Sequence, residues 1–97
     1  MKYTKSILGE IGVLETNANH KDTMKKITKE ARALKCWEVC KLKFEDNKSL
    51  KDFPIYEYLW CDDGASGLYG FGNKFIADDR GVGSPWKRLR WVCVVKK

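Results

Sequence analysis

The sequence predicts an α+β domain in which one helix packs on a mainly antiparallel, twisted sheet of four or five strands, in the order β-α-β-β-β-β. Hydrophobic residues repeat with a helical period in one segment and with a period of two in several others. Clusters of Asp, Asn, Gly, Ser and Pro separate these segments, as turns between strands do. No repeat or linker divides the chain, so we expect a single domain over residues 1–97.

The helix is predicted to begin at Asn19, which has the side chain of a good N-cap, and to run to about Lys35. Its apolar residues follow helical spacing and form one stripe: Met24, Ile27, Ala31 and Leu34. At the remaining positions six Lys and Arg residues outnumber two Asp and Glu residues. The exposed side of this helix is therefore expected to carry positive charge.

Five segments are predicted to be strands: 3–15, 37–45, 55–61, 68–77 and 86–96. Within 37–45, inward-facing Cys40, Leu42 and Phe44 alternate with charged residues. The segment 55–61 has large apolar groups on both faces, which predicts the central strand. Glycines in the first segment predict a bend or an edge position.

Charge and hydropathy narrow the choice of partners. The chain has 19 Lys and Arg against 13 Asp and Glu, a net charge of +6, which favours a polyanion or an acidic protein surface. No apolar run approaches the ~20 residues needed to cross a bilayer, and Glu10 interrupts the N-terminus before a signal-peptide core. We therefore expect a cytoplasmic protein with no membrane partner. An edge strand at either terminus offers a route to self-pairing, so the sequence leaves the oligomeric state open.

The cysteines and the single histidine are expected to be structural. Cys36, Cys40, Cys61 and Cys93 lie in apolar contexts, and only the first two are close in sequence, which favours free buried thiols over zinc ligands or disulfides. His20 is expected at the surface near the helix start, because it has no sequence neighbour suited to metal binding or acid–base chemistry. We accordingly predict no metal and no cofactor.

The sequence has only weak matches to the motifs of catalytic sites. The glycine-rich run 64–72 precedes a strand and lacks the helix that follows phosphate-binding loops. Two acidic pairs, Asp62/Asp63 and Asp78/Asp79, would suit a magnesium-dependent nuclease if they lay close together. In one extended strand they would be about 30 Å apart at ~3.3 Å per residue, too far to share an ion. We therefore predict that the protein is not an enzyme.

Basic and aromatic residues interleave from Trp86 to Trp91, a pattern that suits nucleic acid because cations neutralise phosphates and rings stack on bases. The alternative is an amphipathic strand with solvated arginines and a core Trp91. The predicted binding residues are Trp86, Lys87, Arg88 and Arg90, the rings Tyr58, Trp60 and Phe71, and the helix cations Lys25, Lys29 and Arg32.

These features predict a non-catalytic binding module that engages nucleic acid or a nucleoprotein assembly. A competing hypothesis is a small interaction or inhibitor protein, of the kind that phages and mobile elements carry, docking on an acidic host-protein surface through the same residues. A metal-dependent nuclease is third.

Overall fold

The computed structural model describes residues 2–69, 74–79 and 81–97. Its elements are β1 (Thr4–Ser6), β2 (Gly9–Ala18), α1 (His20–Lys26), β3 (Ala31–Ala33), α2 (Cys36–Glu45), a 3₁₀ helix (Asn47–Leu50), β4 (Leu59–Cys61), β5 (Gly64–Tyr69), β6 (Lys74–Asp78) and β7 (Leu89–Lys96). The α+β class is confirmed. The expected single helix and four or five strands were too few, since the described residues form two α-helices and one mixed sheet of seven strands.

Strand β7 lies at the centre of this sheet. It pairs with β2 along one side, while β3 and β4 share its other side. The β4–β7 pairing is parallel, which makes the sheet mixed, and residues 62–88 supply the long connection that a parallel pair requires. Beyond β4 the sheet continues through β5 to β6, and β1 forms the opposite edge beside β2.

Both faces of the sheet are covered. Residues of α2 and the 3₁₀ helix pack on one face, together with Cys93 and Val95, while Met24 and Ile27 pack on the other, together with Val92 and Val94. Leu89 was expected to share a face with Trp91, yet it packs on the opposite side with Val92 and Val94. A strand with apolar groups on both faces is typical of a buried sheet centre.

The predicted helix 19–35 is half its expected length. It begins at His20 with Asn19 as N-cap, as expected, but ends at Lys26, because Ile27 already has extended backbone (φ −75°, ψ 128°). Ala31 and Ala33 are buried where β3 pairs with β7, with exposed Arg32 between them. Pairing with the central strand therefore overrides the helical spacing of the apolar residues.

The predicted strand 37–45 is instead the helix α2. Its buried residues Glu38, Val39 and Leu42 have helical spacing, and Phe44, expected to face inward, is 78% exposed. Two hydrogen bonds stabilise the helix start: Glu38 Oε1, within α2, accepts the Lys35 N–H at 3.0 Å, and Asp63 Oδ1, from outside the helix, accepts the Cys36 N–H at 2.9 Å. Asp63 lies 27 residues away in sequence, so this cap is invisible to local patterns.

Three predicted strands are also revised. The segment 3–15 is a hairpin that turns before Gly9 (φ +112°), and β7 begins only at Leu89. The segment 68–77 contains the end of β5 and most of β6, which pair antiparallel, while residues 70–73 of this prediction lie outside the described ranges. Within 55–61 only β4 is extended, but its central position between β5 and β7 is confirmed.

The hairpin also corrects the expected separation of the acidic pairs. Ala65 lies directly opposite Asp78, so Asp62/Asp63 and Asp78/Asp79 lie at the same end of β5 and β6, where one long strand would have held them apart. The reversal of the chain between β5 and β6 accounts for the difference.

Candidate binding surface

Four side chains that are close together in sequence are exposed, and we call them the basic surface: Trp86, Lys87, Arg88 and Arg90. Trp86 is 85% exposed, the highest value among the exposed large hydrophobic residues of the described chain. A tryptophan left in water is unusual, since burying its large apolar area is favourable. The basic surface therefore presents a ring and three cations together.

The loop before β7 fixes the backbone of this surface. Ser84 Oγ accepts hydrogen bonds from the N–H groups of both Trp86 and Lys87, each at 3.2 Å. Gly81 has φ +88°, and a Cβ at that position would lie 3.0 Å from Lys87 Cγ. The aliphatic part of Lys87 thus packs against a glycine that no other residue replaces without strain.

A cleft of about 250 Å³ adjoins the basic surface. Its lining includes Tyr58, Ala65, Asp78 and Lys87. Tyr58, a predicted stacking residue, is half-buried there. The volume is below the ~300–1,000 Å³ that is typical of pockets for drug-sized ligands.

Arg90 and Trp91 connect the basic surface to the sheet. The Arg90 guanidinium lies 4.8 Å from the Trp91 ring centroid, and its Nη2 lies 3.6 Å from Glu15 Oε2. Trp91 is half-buried against the core and donates its indole N–H to Glu57 Oε2 at 3.0 Å. The arginine therefore rests on a fixed ring and has a weak ion pair at the protein surface.

Trp60, another predicted stacking residue, lies in the core. Its side chain is fully buried and its indole N–H donates to the Ala18 carbonyl at 2.9 Å. Neither face of the Trp60 ring is therefore accessible to a nucleotide base. Phe71, the third predicted ring, lies outside the described residues.

His20 is buried, contrary to the expected surface position. Its ring packs edge-on against Trp60 with centroids 5.2 Å apart, and its Nε2 lies 2.8 Å and 2.9 Å from the carbonyl oxygens of Cys61 and Asp62. Carbonyl oxygens only accept, so Nε2 carries the proton. The imidazole thus joins the start of α1 to the end of β4.

The three cations predicted on one helix face are dispersed. Lys25 lies on α1, Lys29 on the connection after it, and Arg32 on β3. Arg32 makes a bidentate pair with Glu38, at 2.8 Å and 2.9 Å, and these hydrogen bonds lower the pKa of the Glu38 carboxyl. The Arg32 charge is already paired within the protein, which removes much of its value for an outside anion.

The sequence did not single out two exposed aromatic residues of α2. Trp37 is 59% exposed and Phe44 is 78% exposed, and their seven-residue spacing places them on one side of the helix. The sequence contains this seven-residue spacing, but the spacing places two residues on one side only in a helix, and the segment was predicted to be a strand. Tyr56, also 78% exposed, was likewise missed as a candidate.

All four cysteines are free, with Cys61 and Cys93 buried and Cys36 and Cys40 half-buried. The neighbouring Cys61 thiol and burial raise the pKa of Cys36, so this thiol is protonated and weakly nucleophilic at neutral pH. Within the described ranges, no group of three or more His, Cys, Asp or Glu residues is arranged to hold a metal ion.

Comparison of the chain with protein-family models, curated proteins and solved structures gives no match. In the part of the chain that the structure describes, neither helix has the length and apolar character needed to cross a membrane.

Proposed function

We propose that this protein is a non-catalytic binding module that engages nucleic acid, alone or in a nucleoprotein assembly, through the basic surface and Tyr58. The exposure of Trp86 beside Lys87, Arg88 and Arg90 carries this proposal. Lys and Arg neutralise phosphates and release their counterions, and an exposed ring stacks on a base. The net charge of +6 adds a long-range attraction to polyanions.

The packing of the basic surface supports the same function. Ser84 holds the backbone of Trp86 and Lys87, so less conformational freedom is lost on binding. Both Arg90 and Glu15 side chains are about half exposed and their ion pair is 3.6 Å long, so a phosphate can replace Glu15 at little cost.

The salt dependence of oligonucleotide affinity tests this proposal. If Lys87, Arg88 and Arg90 each neutralise one phosphate, the logarithm of the binding constant falls with the logarithm of salt concentration with a slope of about −2 for a single strand, since each phosphate contributes about −0.7. Arg88→Gln then reduces the slope by about 0.7. Fluorescence anisotropy of a labelled oligonucleotide measures both values.

Lys48→Gln is the matched control. Lys48 is exposed on the 3₁₀ helix, whose neighbours are α2 and β1 rather than the basic surface. Its replacement should leave the slope unchanged. An Arg88→Gln slope equal to that of the wild type, or an affinity that does not respond to salt, contradicts the proposed surface.

The exposed residues Trp37 and Phe44 favour a second candidate function, in which the protein docks on another protein as an interaction or inhibitor factor. Exposed tryptophan is enriched among the residues that dominate protein interfaces. Such a factor ignores naked oligonucleotides and co-purifies with one partner, and Trp37→Ala with Phe44→Ala weakens that association. Retained association of the double variant would exclude α2 as the docking surface.

A further inference from the structure

The basic surface differs from a flat platform that stacks several bases. Both faces of the sheet are covered, Trp60 is fully buried and Trp91 is half-buried, so Trp86 is the large exposed ring of this surface. One exposed ring stacks on one base at a time. The footprint for stacking is therefore a single nucleotide, with the neighbouring cations holding the backbone on either side.

Continuous duplex does not offer a base to such a ring. In a duplex each base is already stacked between its neighbours, and exposing its face requires unstacking and unpairing. An unpaired base in a single strand, loop or end has no such penalty. Stacking on Trp86 therefore adds to the affinity for unpaired nucleotides and adds little for a closed duplex.

The cleft beside the ring has room for the next nucleotide. Lys87 follows Trp86 in sequence and lines a cleft of about 250 Å³ together with Ala65, Asp78 and the half-buried Tyr58. The N–H groups of Trp86 and Lys87 both donate to Ser84 Oγ, so one hydroxyl holds the backbone from which both side chains extend. The base next to the one stacked on Trp86 can enter this cleft.

We propose that this surface recognises unpaired nucleotides: Trp86 stacks on one base, the cleft lined by Tyr58 and Lys87 receives the adjacent one, and Arg88 and Arg90 contact the backbone. This inference rests on the proposed nucleic-acid function and specifies its ligand class. It assigns the selectivity to Trp86 and the salt-dependent attraction to Lys87, Arg88 and Arg90.

The test compares one labelled strand, free and annealed into a blunt duplex, by fluorescence anisotropy at a fixed low salt concentration. The wild type is expected to bind the single strand about 5- to 150-fold more tightly than the duplex, the range that one stacked base supplies. Trp86→Ala is expected to remove this preference while leaving duplex affinity within about twofold, because the arginines are intact. Trp37→Ala, an exposed tryptophan on α2, is the control and keeps the preference.

The outcomes separate the two proposals. Equal wild-type affinity for strand and duplex, or an equal loss for both ligands in Trp86→Ala, overturns the unpaired-base inference and leaves nucleic-acid binding standing. Absence of wild-type binding to either ligand overturns both. Since Trp86 is 85% exposed, its variant is expected to fold, and an unchanged far-UV circular dichroism spectrum verifies this.

Discussion

Individual residues of one type have opposite roles in this molecule. Trp60 and Trp86 carry the same side chain, yet the first is fully buried with its indole N–H bonded to Ala18 and the second is 85% exposed on the loop before β7. The amino-acid composition does not distinguish these two tryptophans. Burial assigns Trp60 to stability and leaves Trp86 available to a partner.

Trp60→Phe is expected to destabilise the protein by about 3 kcal/mol, because it leaves the buried Ala18 carbonyl without its donor and opens a cavity where the larger ring was. Trp86→Phe, the matched control, should change the unfolding free energy by less than about 0.5 kcal/mol. Urea unfolding measures both. Equal stability of the two variants would contradict the assigned environments.

Glu38 makes the stability pH-dependent. Hydrogen bonds from Arg32 lower its pKa in the folded state, so its contribution is complete above the unfolded value of about 4.3 and is lost as pH falls through the folded pKa. Asp63, whose pKa is lowered by the Cys36 N–H, contributes with the same sign.

We therefore expect Glu38→Gln to reduce the unfolding free energy at pH 7 by roughly 1–2 kcal/mol, as for a hydrogen-bonded charged group whose partner is partly exposed. The difference from the wild type should shrink as the pH is lowered from 5 to 3. Urea unfolding at several pH values measures it. A difference that stays constant over this range would show that Glu38 does not titrate with a lowered pKa.

At the scale of elements, α2 depends on a contact distant in sequence. Asp63, in the turn after β4, accepts the Cys36 N–H and supplies the cap for a helix whose own N-cap residue, Lys35, has no acceptor side chain. This cap attaches the helix to the sheet on which it packs. The neighbouring Asp62 makes only an exposed 3.8 Å ion pair with Lys35.

Asp63→Ala is expected to lower the unfolding free energy by about 1 kcal/mol through loss of this cap. Asp62→Ala, one residue earlier in the same turn, should change it by less than about 0.5 kcal/mol, because an exposed ion pair contributes little. Thermal unfolding of both variants provides the comparison. A larger effect at Asp62 than at Asp63 would contradict the cap.

Elements were predictable from the sequence where their signals are local. The start of α1 at the Asn19 cap, the extended Leu59–Cys61 with Trp60 on the face opposite its neighbours, and most of β7 follow from capping and alternation. The segment 36–45 misled because Leu42 fits both a period of two and a helical period, while the Asp63 cap that favours the helix is distant. The short β3 depends on pairing with β7, which no local pattern contains.

The residues of the candidate site also differ in how far the sequence alone could predict them. The exposure of the residues of the basic surface agrees with the sequence pattern, which selected them because they are adjacent along the chain, while their binding role stays a prediction. The sequence pattern did not distinguish buried Trp60 from exposed Trp86. It also predicted that Arg32 binds a partner, although the Arg32 guanidinium forms an ion pair with Glu38 within the protein. Exposure and ion pairing depend on tertiary packing, so these assignments required the structure.

At the scale of the whole molecule, coverage of both sheet faces decides where a partner can bind. One cluster of packed residues lies under α2 and the other beside α1, so the sheet itself offers no open aromatic face among its described residues. Exposed rings occur at Tyr56, at the loop before β7 and on the outer side of α2. Trp86 in the loop is the basis of the nucleic-acid proposal, and Trp37 and Phe44 on α2 are the basis of the protein-docking proposal.

The most direct test of nucleic-acid binding through the basic surface is intrinsic tryptophan fluorescence during titration with a single-stranded oligonucleotide, at low and at physiological salt, for the wild type and Trp86→Phe. We expect saturable quenching of the wild type that weakens with salt and is smaller in Trp86→Phe, since Trp60 is shielded in the core, Trp37 lies on α2, and only the half-buried Trp91 beside Arg90 remains at the basic surface. An unchanged wild-type signal at low salt, or equal quenching in Trp86→Phe, would contradict the account.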